Sequence, residues 1–132
     1  FVFQSFHLMP RLTALDNVML PLEISGDPYS MDKAQEALKQ VGLSSRAKHF
    51  ATQLSGGEKQ RVAIARSIVN KPKILFADEP TGNLDKKSSG SITDLLFSLN
   101  ELINTTLVLV THDLSLAEKC DEVYELAEGR LL

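Results

Sequence analysis

Two acidic side chains, Asp78 and Glu79, directly follow a short apolar run over Ile74–Ala77. A continuous apolar run of this length is typical of a strand buried on both faces of a parallel sheet. Functional residues of open α/β sheets gather where such strands end. Asp78 is therefore a candidate Mg²⁺ ligand acting through water, and Glu79 a candidate base that polarises an attacking water. The simpler alternative is an acidic exit from a strand into a loop.

A second apolar run, Leu107–Val110, ends in Thr111, His112 and Asp113. A lone histidine after a strand is more often a solvated or capping residue than a catalytic one. Two parallel strands that both end in such side chains, however, bring them to one edge of the same sheet. We therefore expect His112 to lie beside Glu79.

A third candidate site begins at Ser55, which precedes Gly56, Gly57 and Glu58. Ser-x-x-Glu is a capping box, and capping of a first helical turn accounts for Ser55 and Glu58. It does not account for the two glycines, each of which costs about 1 kcal/mol relative to alanine inside a helix. Bare N–H groups at a helix start suit an anion such as phosphate. The glycine pair therefore predicts that a ligand approaches the backbone here.

Two further stretches are uninformative by themselves. Gly82–Asp85 is an ordinary turn followed by a helix N-cap at Asp85. Gln4, after the apolar residues 1–3, cannot be interpreted alone.

The elements that must position these residues are helical in the first half of the chain and alternate between strand and helix in the second. The predicted helices cover about 13–24, 30–41 with Ser30 as N-cap, 56–70, 86–104 and 114–119. The predicted strands are 1–3, 73–77, 106–111 and 123–127, the last followed by a hairpin turn at 128–129. The 86–104 helix carries an apolar stripe of Ile92, Leu95, Leu96, Leu99, Leu102 and Ile103. Strands separated by helices imply parallel pairing, and so an α/β fold.

Composition restricts the class of protein. The 132 residues are 43% hydrophobic and 23% charged, which suits one domain with a real core and excludes disorder. No apolar run approaches the roughly 18 residues of a membrane span, and no secretory signal is visible. The single Cys120 forms no internal disulfide, and a net charge of −3 argues against nucleic acid as a partner. We expect a soluble, cytoplasmic chain.

Together these motifs resemble the nucleotide-binding domain of the ATP-binding-cassette (ABC) ATPases. Order and spacing fit along the chain: residues 1–10 (FVFQSFHLMP) resemble the strand and glutamine loop, 54–58 (LSGGE) the signature, 74–80 (ILFADEP) the Walker B strand, 82–85 (GNLD) the D-loop and 111–113 (THD) the switch-histidine loop. The amino-acid sequence around these motifs is most similar to the lipoprotein-release and macrolide-export branch, including its YbbA-like members.

The resemblance implies a partial P-loop NTPase fold, with a helical subdomain at about 5–70 and the C-terminal part of a RecA-like core at about 71–132. It implies ATP and Mg²⁺ as ligands, a membrane permease and a second copy of the ATPase subunit as partners, and a peripheral position on the cytoplasmic face of the inner membrane. The resemblance implies that Asp78 binds Mg²⁺, that Glu79 is the catalytic base and that His112 contacts the γ-phosphate. It implies that Gln4 senses Mg²⁺ and couples the site to the permease, and that Asp85 lies at the dimer interface. It also implies that Ser55, Gly56 and Gly57 bind the ATP held by the partner subunit.

The family's phosphate loop, Gly-x-x-x-x-Gly-Lys-[Ser/Thr], is missing from these residues, because none of the seven glycines is followed by lysine. That loop (Walker A) supplies the main phosphate cradle and precedes the glutamine loop in the family. We therefore expect an N-terminally truncated chain that does not bind or hydrolyse ATP alone. Without the missing segment, the strands at 74–77 and 107–111 should expose apolar surface and favour self-association.

Three functional classes remain to be compared. The leading one is the ATP-binding subunit of an ABC transporter, whose complete form hydrolyses ATP to drive a membrane partner. The alternative is a non-catalytic module that docks on a permease or on an intact ATPase subunit, although retention of Asp78, Glu79 and His112 argues against long divergence without catalysis. The third, a DNA-associated ATPase of the chromosome-maintenance type, enters the same signature from a long coiled coil, whereas residues 5–53 carry three prolines and no sustained heptads.

Overall fold

A computed structural model describes all 132 residues. In chain order the elements are β1 (Val2–Phe3), α1 (Ala14–Ile24), α2 (Ser30–Gln40), α3 (Gly56–Ile68), β2 (Ile74–Asp78), α4 (Lys86–Ile103), β3 (Thr106–Val110), α5 (Leu114–Ala117), β4 (Leu126–Ala127) and β5 (Arg130–Leu131). Two single 3-10 turns, Ser44–Arg46 and Ala51–Gln53, lie between α2 and α3. None of the helices combines the length and the apolar character that a membrane crossing needs.

One parallel sheet, in the order β1-β2-β3, aligns the segments that carry the predicted site residues. Asp78 at the end of β2 pairs with Phe3 of β1 on one side and with Val110 of β3 on the other. Because these three residues are in register, the segments that begin at residues 4, 79 and 111 all leave the sheet at the same edge. The predicted α/β fold with parallel strands is confirmed.

Helices α1, α2 and α3 pack on one another, and α3 also lies against β1 and α4. Thr13 and Asp16 form a capping box that starts α1. Gly42, with φ +75°, allows the left-handed turn after α2, and the next N–H, of Leu43, donates to the carbonyl of Leu38. A single hydrophobic cluster joins these helices to the inner face of the sheet, which places α3 between the helical layer and the strands.

Two predicted caps differ from the structure. Ser30 is the first residue of α2, its N-cap position is taken by Tyr29, and no side chain caps that helix. Only half of the predicted capping box forms at α3, where the Ser55 hydroxyl accepts the Glu58 N–H at 3.2 Å. The Glu58 carboxylate turns instead to Arg46, with Oε2 3.4 Å from Nε, because an opposite charge competes with the backbone for it.

The predicted strand at 123–127 is wrong in extent and place. Only Leu126–Ala127 is strand, and it pairs antiparallel with Arg130–Leu131 outside the main sheet, so the hairpin alone is confirmed. Val123 and Tyr124 are exposed. An apolar segment becomes a strand only where a neighbour accepts its backbone hydrogen bonds.

The helix bounds and one face assignment also change. Helices α3 and α5 end two residues earlier than predicted, at Ile68 and Ala117. Of the predicted stripe on α4, Leu102 is exposed. At about 100° per residue it lies about 80° around the helix from Ile92, at the margin of the buried face.

Strand β2 is buried on one face only. Leu75 and Ala77 are buried in the hydrophobic cluster, whereas Ile74 and Phe76 are 52% and 40% exposed on the opposite face. Val108 and Val110 of β3 are exposed as well. The predicted burial on both faces is therefore wrong, because the helices cover one side of the sheet, while the predicted exposure of apolar surface on both strands is confirmed.

Candidate functional site

The Glu79 carboxylate lies at the centre of a polar cluster where β2 and β3 end. Its Oε1 accepts the main-chain N–H of His112 at 2.9 Å and lies 2.6 Å from His112 Nδ1. Its Oε2 accepts the Thr111 hydroxyl at 3.2 Å. The expected proximity of Glu79 and His112 is thus observed. Thr111 received no role in the sequence analysis, although its position directly before His112 marks it as a neighbour.

The backbone of Glu79 turns its side chain toward β3. Its N–H donates to the Val110 carbonyl at 2.8 Å, so the parallel ladder continues one residue beyond the strand. Its φ of +44° is left-handed, a conformation that costs a residue other than glycine about 1–2 kcal/mol. Its carbonyl then accepts the Gly82 N–H at 3.0 Å and closes the turn. The surrounding hydrogen bonds therefore hold Glu79 in a conformation that it would not adopt alone.

This cluster can hold and receive a proton. Because an ionised carboxylate only accepts hydrogen bonds, the proton in the short contact is assigned to His112 Nδ1, which leaves Nε2 to accept a hydrogen bond in the neutral ring or to donate one in the protonated ring. A carboxylate has about four acceptor sites, and the three donors here leave about one for a water molecule. The Glu79 side chain is 21% exposed and that of His112 is 85% exposed, so solvent reaches both.

Asp78 fits a Mg²⁺ site to which the protein gives one carboxylate. It is exposed at the end of β2 and takes part in none of the ion pairs of the chain. No group of three histidine, cysteine or acidic side chains could enclose a metal. Mg²⁺ is commonly held by one or two carboxylates, with phosphate oxygens and water completing its shell.

Gln4 is held to the 82–85 turn by two reciprocal hydrogen bonds with Asn83, here called the clasp. Its Nε2 donates to Asn83 Oδ1 at 3.2 Å, and Asn83 Nδ2 donates back to the Gln4 carbonyl at 3.0 Å. A Cβ on Gly82 would lie 2.5 Å from Gln4 Nε2, so this clasp needs a glycine. Nothing in the sequence pattern marked Asn83 as the partner of Gln4.

Asp85 caps α4, as one of the two interpretations of its turn predicted. Its carboxylate accepts the Ser88 N–H at 3.2 Å. Hydrogen bonds from Ser88 hold the pKa of Asp85 below its ordinary value. Asp113 does the same for α5, and hydrogen bonds from Ser115 lower its pKa.

Ser55, Gly56 and Gly57 lie elsewhere, at the first turn of α3. A cleft of about 340 Å³ there is lined by eight residues from the starts of α3 and α4: Ser55, Gly57, Glu58, Arg61, Lys87, Ser88, Ser91 and Ile92. Two helix N-termini therefore face one cleft, an arrangement that suits an anion. Neither Glu79 nor His112 lines this cleft.

The packing of this chain does not itself require the two signature glycines. A Cβ on Gly56 would meet Leu84 Cδ2 at 3.4 Å, and one on Gly57 would meet Ser88 Oγ at 3.5 Å. Both are ordinary van der Waals contacts. Neither glycine has a positive φ, so neither the packing nor the backbone conformation of this chain requires glycine here.

A sequence model of the ABC transporter family matches residues 1–82. Two similar curated proteins are the uncharacterized ABC transporter ATP-binding protein YbbA of Escherichia coli (strain K12), 53% identical, and the lipoprotein-releasing system ATP-binding protein LolD of Xanthomonas campestris pv. campestris (strain 8004), 50% identical. Both matches cover 99% of this chain but only 58% and 56% of those proteins. The chain thus spans little more than half the length of these relatives.

Two solved structures share the fold. The dimeric structure of MJ0796, a bacterial ABC transporter cassette, has a TM-score of 0.74 and 47% identity, over 89% of this chain and 53% of that one. A post-hydrolysis state of the same cassette, bound to ADP and Pi, has a TM-score of 0.73 and 47% identity, over 88% of this chain and 53% of that one.

Proposed function

This chain belongs to the ABC transporter ATPase family. We propose that it carries the hydrolytic base and the signature segment of an ATP-binding subunit, and that the complete subunit hydrolyses ATP to drive a membrane partner. The observation that carries the proposal is the Glu79 carboxylate, fixed by Thr111 and His112 beside the exposed Asp78. A partly buried carboxylate with about one free acceptor site can accept a hydrogen bond from an attacking water, as a general base must.

In the proposed reaction Glu79 accepts a proton from the attacking water. Thr111 and the main-chain N–H of His112 keep the carboxylate in place, and the exposed imidazole of His112, in its protonated form, donates from Nε2 to the γ-phosphate. Asp78 would hold Mg²⁺, which neutralises phosphate charge when bound. Gln4, one strand away, senses Mg²⁺ and water and couples the site to the membrane partner.

The signature cleft serves a second copy of the subunit in this proposal. Ser55, Gly56 and Gly57 grip the γ-phosphate of ATP held by that copy, and Asp85 lies at the interface between the two. Three observations favour this: Glu79 does not line the cleft, two helix N-termini face it, and the packing of the chain leaves both glycines unexplained. A similar cassette, MJ0796, is described as dimeric.

The proposed partners follow the family. We assign residues 5–70 to a helical subdomain that contacts a membrane permease, and residues 71–132 to the C-terminal part of the RecA-like core. The assembled protein would lie on the cytoplasmic face of the membrane. The names of YbbA and LolD, both ATP-binding proteins of transport or release systems, support this assignment, and the net charge of −3 disfavours nucleic acid.

By themselves these 132 residues are proposed not to bind Mg-ATP tightly, because no glycine among them is followed by lysine. A calorimetric titration of the chain with Mg-ATP, with Glu79→Gln in parallel, tests this. No heat up to millimolar ATP is expected, and micromolar binding would contradict the proposal. The absence of a binding heat would also agree with the alternative, a non-catalytic module that docks on a permease or an intact ATPase subunit.

The activity is tested in a chimera in which this chain replaces the matching 58% of the E. coli relative YbbA. Hydrolysis of ATP is expected, with loss of turnover and retention of ATP binding in Glu79→Gln. A folded chimera that binds ATP and hydrolyses none would overturn the hydrolytic role and favour the docking module.

A further inference from the structure

Helix α3 sends two polar side chains to the segments that carry Gln4 and Glu79. We infer that α3 sets the position of both residues, and that Gln60 and Arg66 are the positioning residues through which it does so. The inference rests on the proposed function for its consequence in turnover, while the mechanical part concerns this chain alone.

Gln60 bridges the two segments from a fully buried position. Its side chain is 0% exposed, and Nε2 donates to the Phe3 carbonyl at 3.2 Å and to the Pro80 carbonyl at 2.5 Å. Phe3 directly precedes Gln4, and Pro80 directly follows Glu79. Both N–H groups of the amide are thus used, one on each segment. The opposite orientation of the amide would place its oxygen against two carbonyl oxygens.

The buried amide of Gln60 also carries a cost to stability. Its Oε1 is buried without a hydrogen-bond partner, and an unpaired buried acceptor destabilises a fold. An apolar side chain of the same length would remove that unpaired oxygen, but it would also take the donor away from the Phe3 and Pro80 carbonyls. What an apolar side chain cannot do is hold two carbonyl groups at a fixed separation.

Arg66, further along α3, holds the other end of the first segment. Its guanidinium donates to the His7 carbonyl at 2.8 Å and to the Phe6 carbonyl at 3.1 Å, and it forms no ion pair. Burial lowers the pKa of Arg66. Gln60 and Arg66 together therefore grip the chain on both sides of Gln4.

The gripped segments contain the strained backbone of the site. Phe6 and His7 have φ of +65° and +52°, and Glu79, next to Pro80, has φ of +44°. Such residues keep a left-handed conformation only where their surroundings impose it. Since the signature turn begins the same helix, a displacement of α3 at its N-terminus would move Gln4 and Glu79 together.

Hydrogen exchange of the backbone amides in the 132-residue chain tests the mechanical part. Gln60→Met is expected to reduce protection within residues 2–7 and 78–84 together, by about tenfold, and to leave α1 and α2 within about twofold. Arg66→Met should loosen residues 4–8 alone, and Arg66→Lys should restore part of that protection. Because each variant acts at a different contact, Arg66→Met still decides the Gln4 half of the inference if the Gln60→Met chain does not fold, and the more conservative Gln60→Glu then tests the Glu79 half.

The matched control is Asn17→Leu. Asn17 is another fully buried carboxamide, and it holds the carbonyls of Met9, Leu12 and Thr13 away from the site. Asn17→Leu should reduce the exchange protection of residues 9–13 and leave that of residues 78–84 unchanged. Equal loss of protection in every element for Gln60→Met, or no loss in the two segments, would overturn the inference and leave Gln60 as a space-filling residue.

Turnover is measured in the YbbA chimera. Gln60→Met is expected to lower kcat at least about tenfold and to change the KM for ATP less than about threefold. A wild-type chimera without ATPase activity refutes the proposed function, and the exchange experiment still decides the role of Gln60. A kcat that falls only in proportion to the folded fraction contradicts positioning.

Discussion

Glu79 and His112 are joined twice, since one carboxylate oxygen takes both the main-chain N–H of His112, at 2.9 Å, and its Nδ1, at 2.6 Å. The main-chain contact is independent of the imidazole. Loss of the ring therefore leaves the carboxylate anchored by the main-chain N–H, whereas loss of the carboxylate removes both contacts. The asymmetry makes Glu79 the fixed member of the pair.

Thr111→Val is expected to reduce ATP turnover by about tenfold, because it removes the hydroxyl that holds Oε2 while keeping the shape of the side chain. Stability should fall by about 1 kcal/mol. Steady-state hydrolysis by the YbbA chimera measures the first effect and chemical denaturation the second. Thr111→Ser is the matched control, since it keeps the hydroxyl. Turnover in the valine variant equal to that of wild type would remove Thr111 from the site.

Gly57→Ala and Gly82→Ala should change stability in opposite directions. A Cβ on Gly57 meets only Ser88, at 3.5 Å, so alanine should stabilise α3 by up to about 1 kcal/mol. A Cβ on Gly82 would lie 2.5 Å from Gln4 Nε2 and break the clasp with Asn83, so that variant should be less stable. Thermal unfolding of the 132-residue chain measures both.

Gly57→Ala also separates the effect of glycine on packing from its effect on ligand binding. In the YbbA chimera the more stable Gly57→Ala should still lose ATP-dependent dimerisation, because the new methyl group obstructs the bare N–H groups of the helix start. A chimera carrying Gly57→Ala that dimerises on ATP as wild type does would show that the signature glycines have no ligand to admit.

The stability of the chain should fall in acid, and Asp85 should contribute to that fall. Hydrogen bonds from Ser88 lower the pKa of Asp85 in the folded state. The resulting stabilisation is present above the unfolded pKa of about 3.9 and is lost as the pH falls through the lower folded pKa. Asp27, hydrogen-bonded by Lys33, and Asp113, hydrogen-bonded by Ser115, act in the same direction.

Asp85→Asn isolates that contribution. Asparagine caps a helix about as well as aspartate but does not titrate. Denaturation at a series of pH values should therefore give the asparagine variant a shallower loss of unfolding free energy below about pH 4. Parallel curves for the two proteins would mean that the Ser88 hydrogen bonds do not discriminate between the charged and neutral carboxyl group.

The sequence predicted those parts of the fold that local patterns control. The apolar runs before Asp78 and Thr111 located two parallel strands, and from them followed the meeting of Glu79 and His112. Contacts between distant segments were invisible: the reciprocal bonds of Gln4 and Asn83 join residues 79 positions apart. Ser30 was misassigned because a capping residue is recognised by type, whereas its backbone position depends on where the helix starts.

The last prediction concerns the apolar side of the sheet that no helix covers, formed by Ile74, Phe76, Val108 and Val110. Uncovered apolar faces and free strand edges favour association, so the 132-residue chain should self-associate as its concentration rises. Val110→Thr keeps the shape and β-propensity of the side chain but makes the face more polar, and should weaken association by about threefold to tenfold. Leu102→Thr, which changes an exposed leucine on α4 outside this face, should leave association unchanged. Sedimentation equilibrium over a hundredfold concentration range measures both, and a wild-type chain that remains monomeric throughout contradicts the prediction.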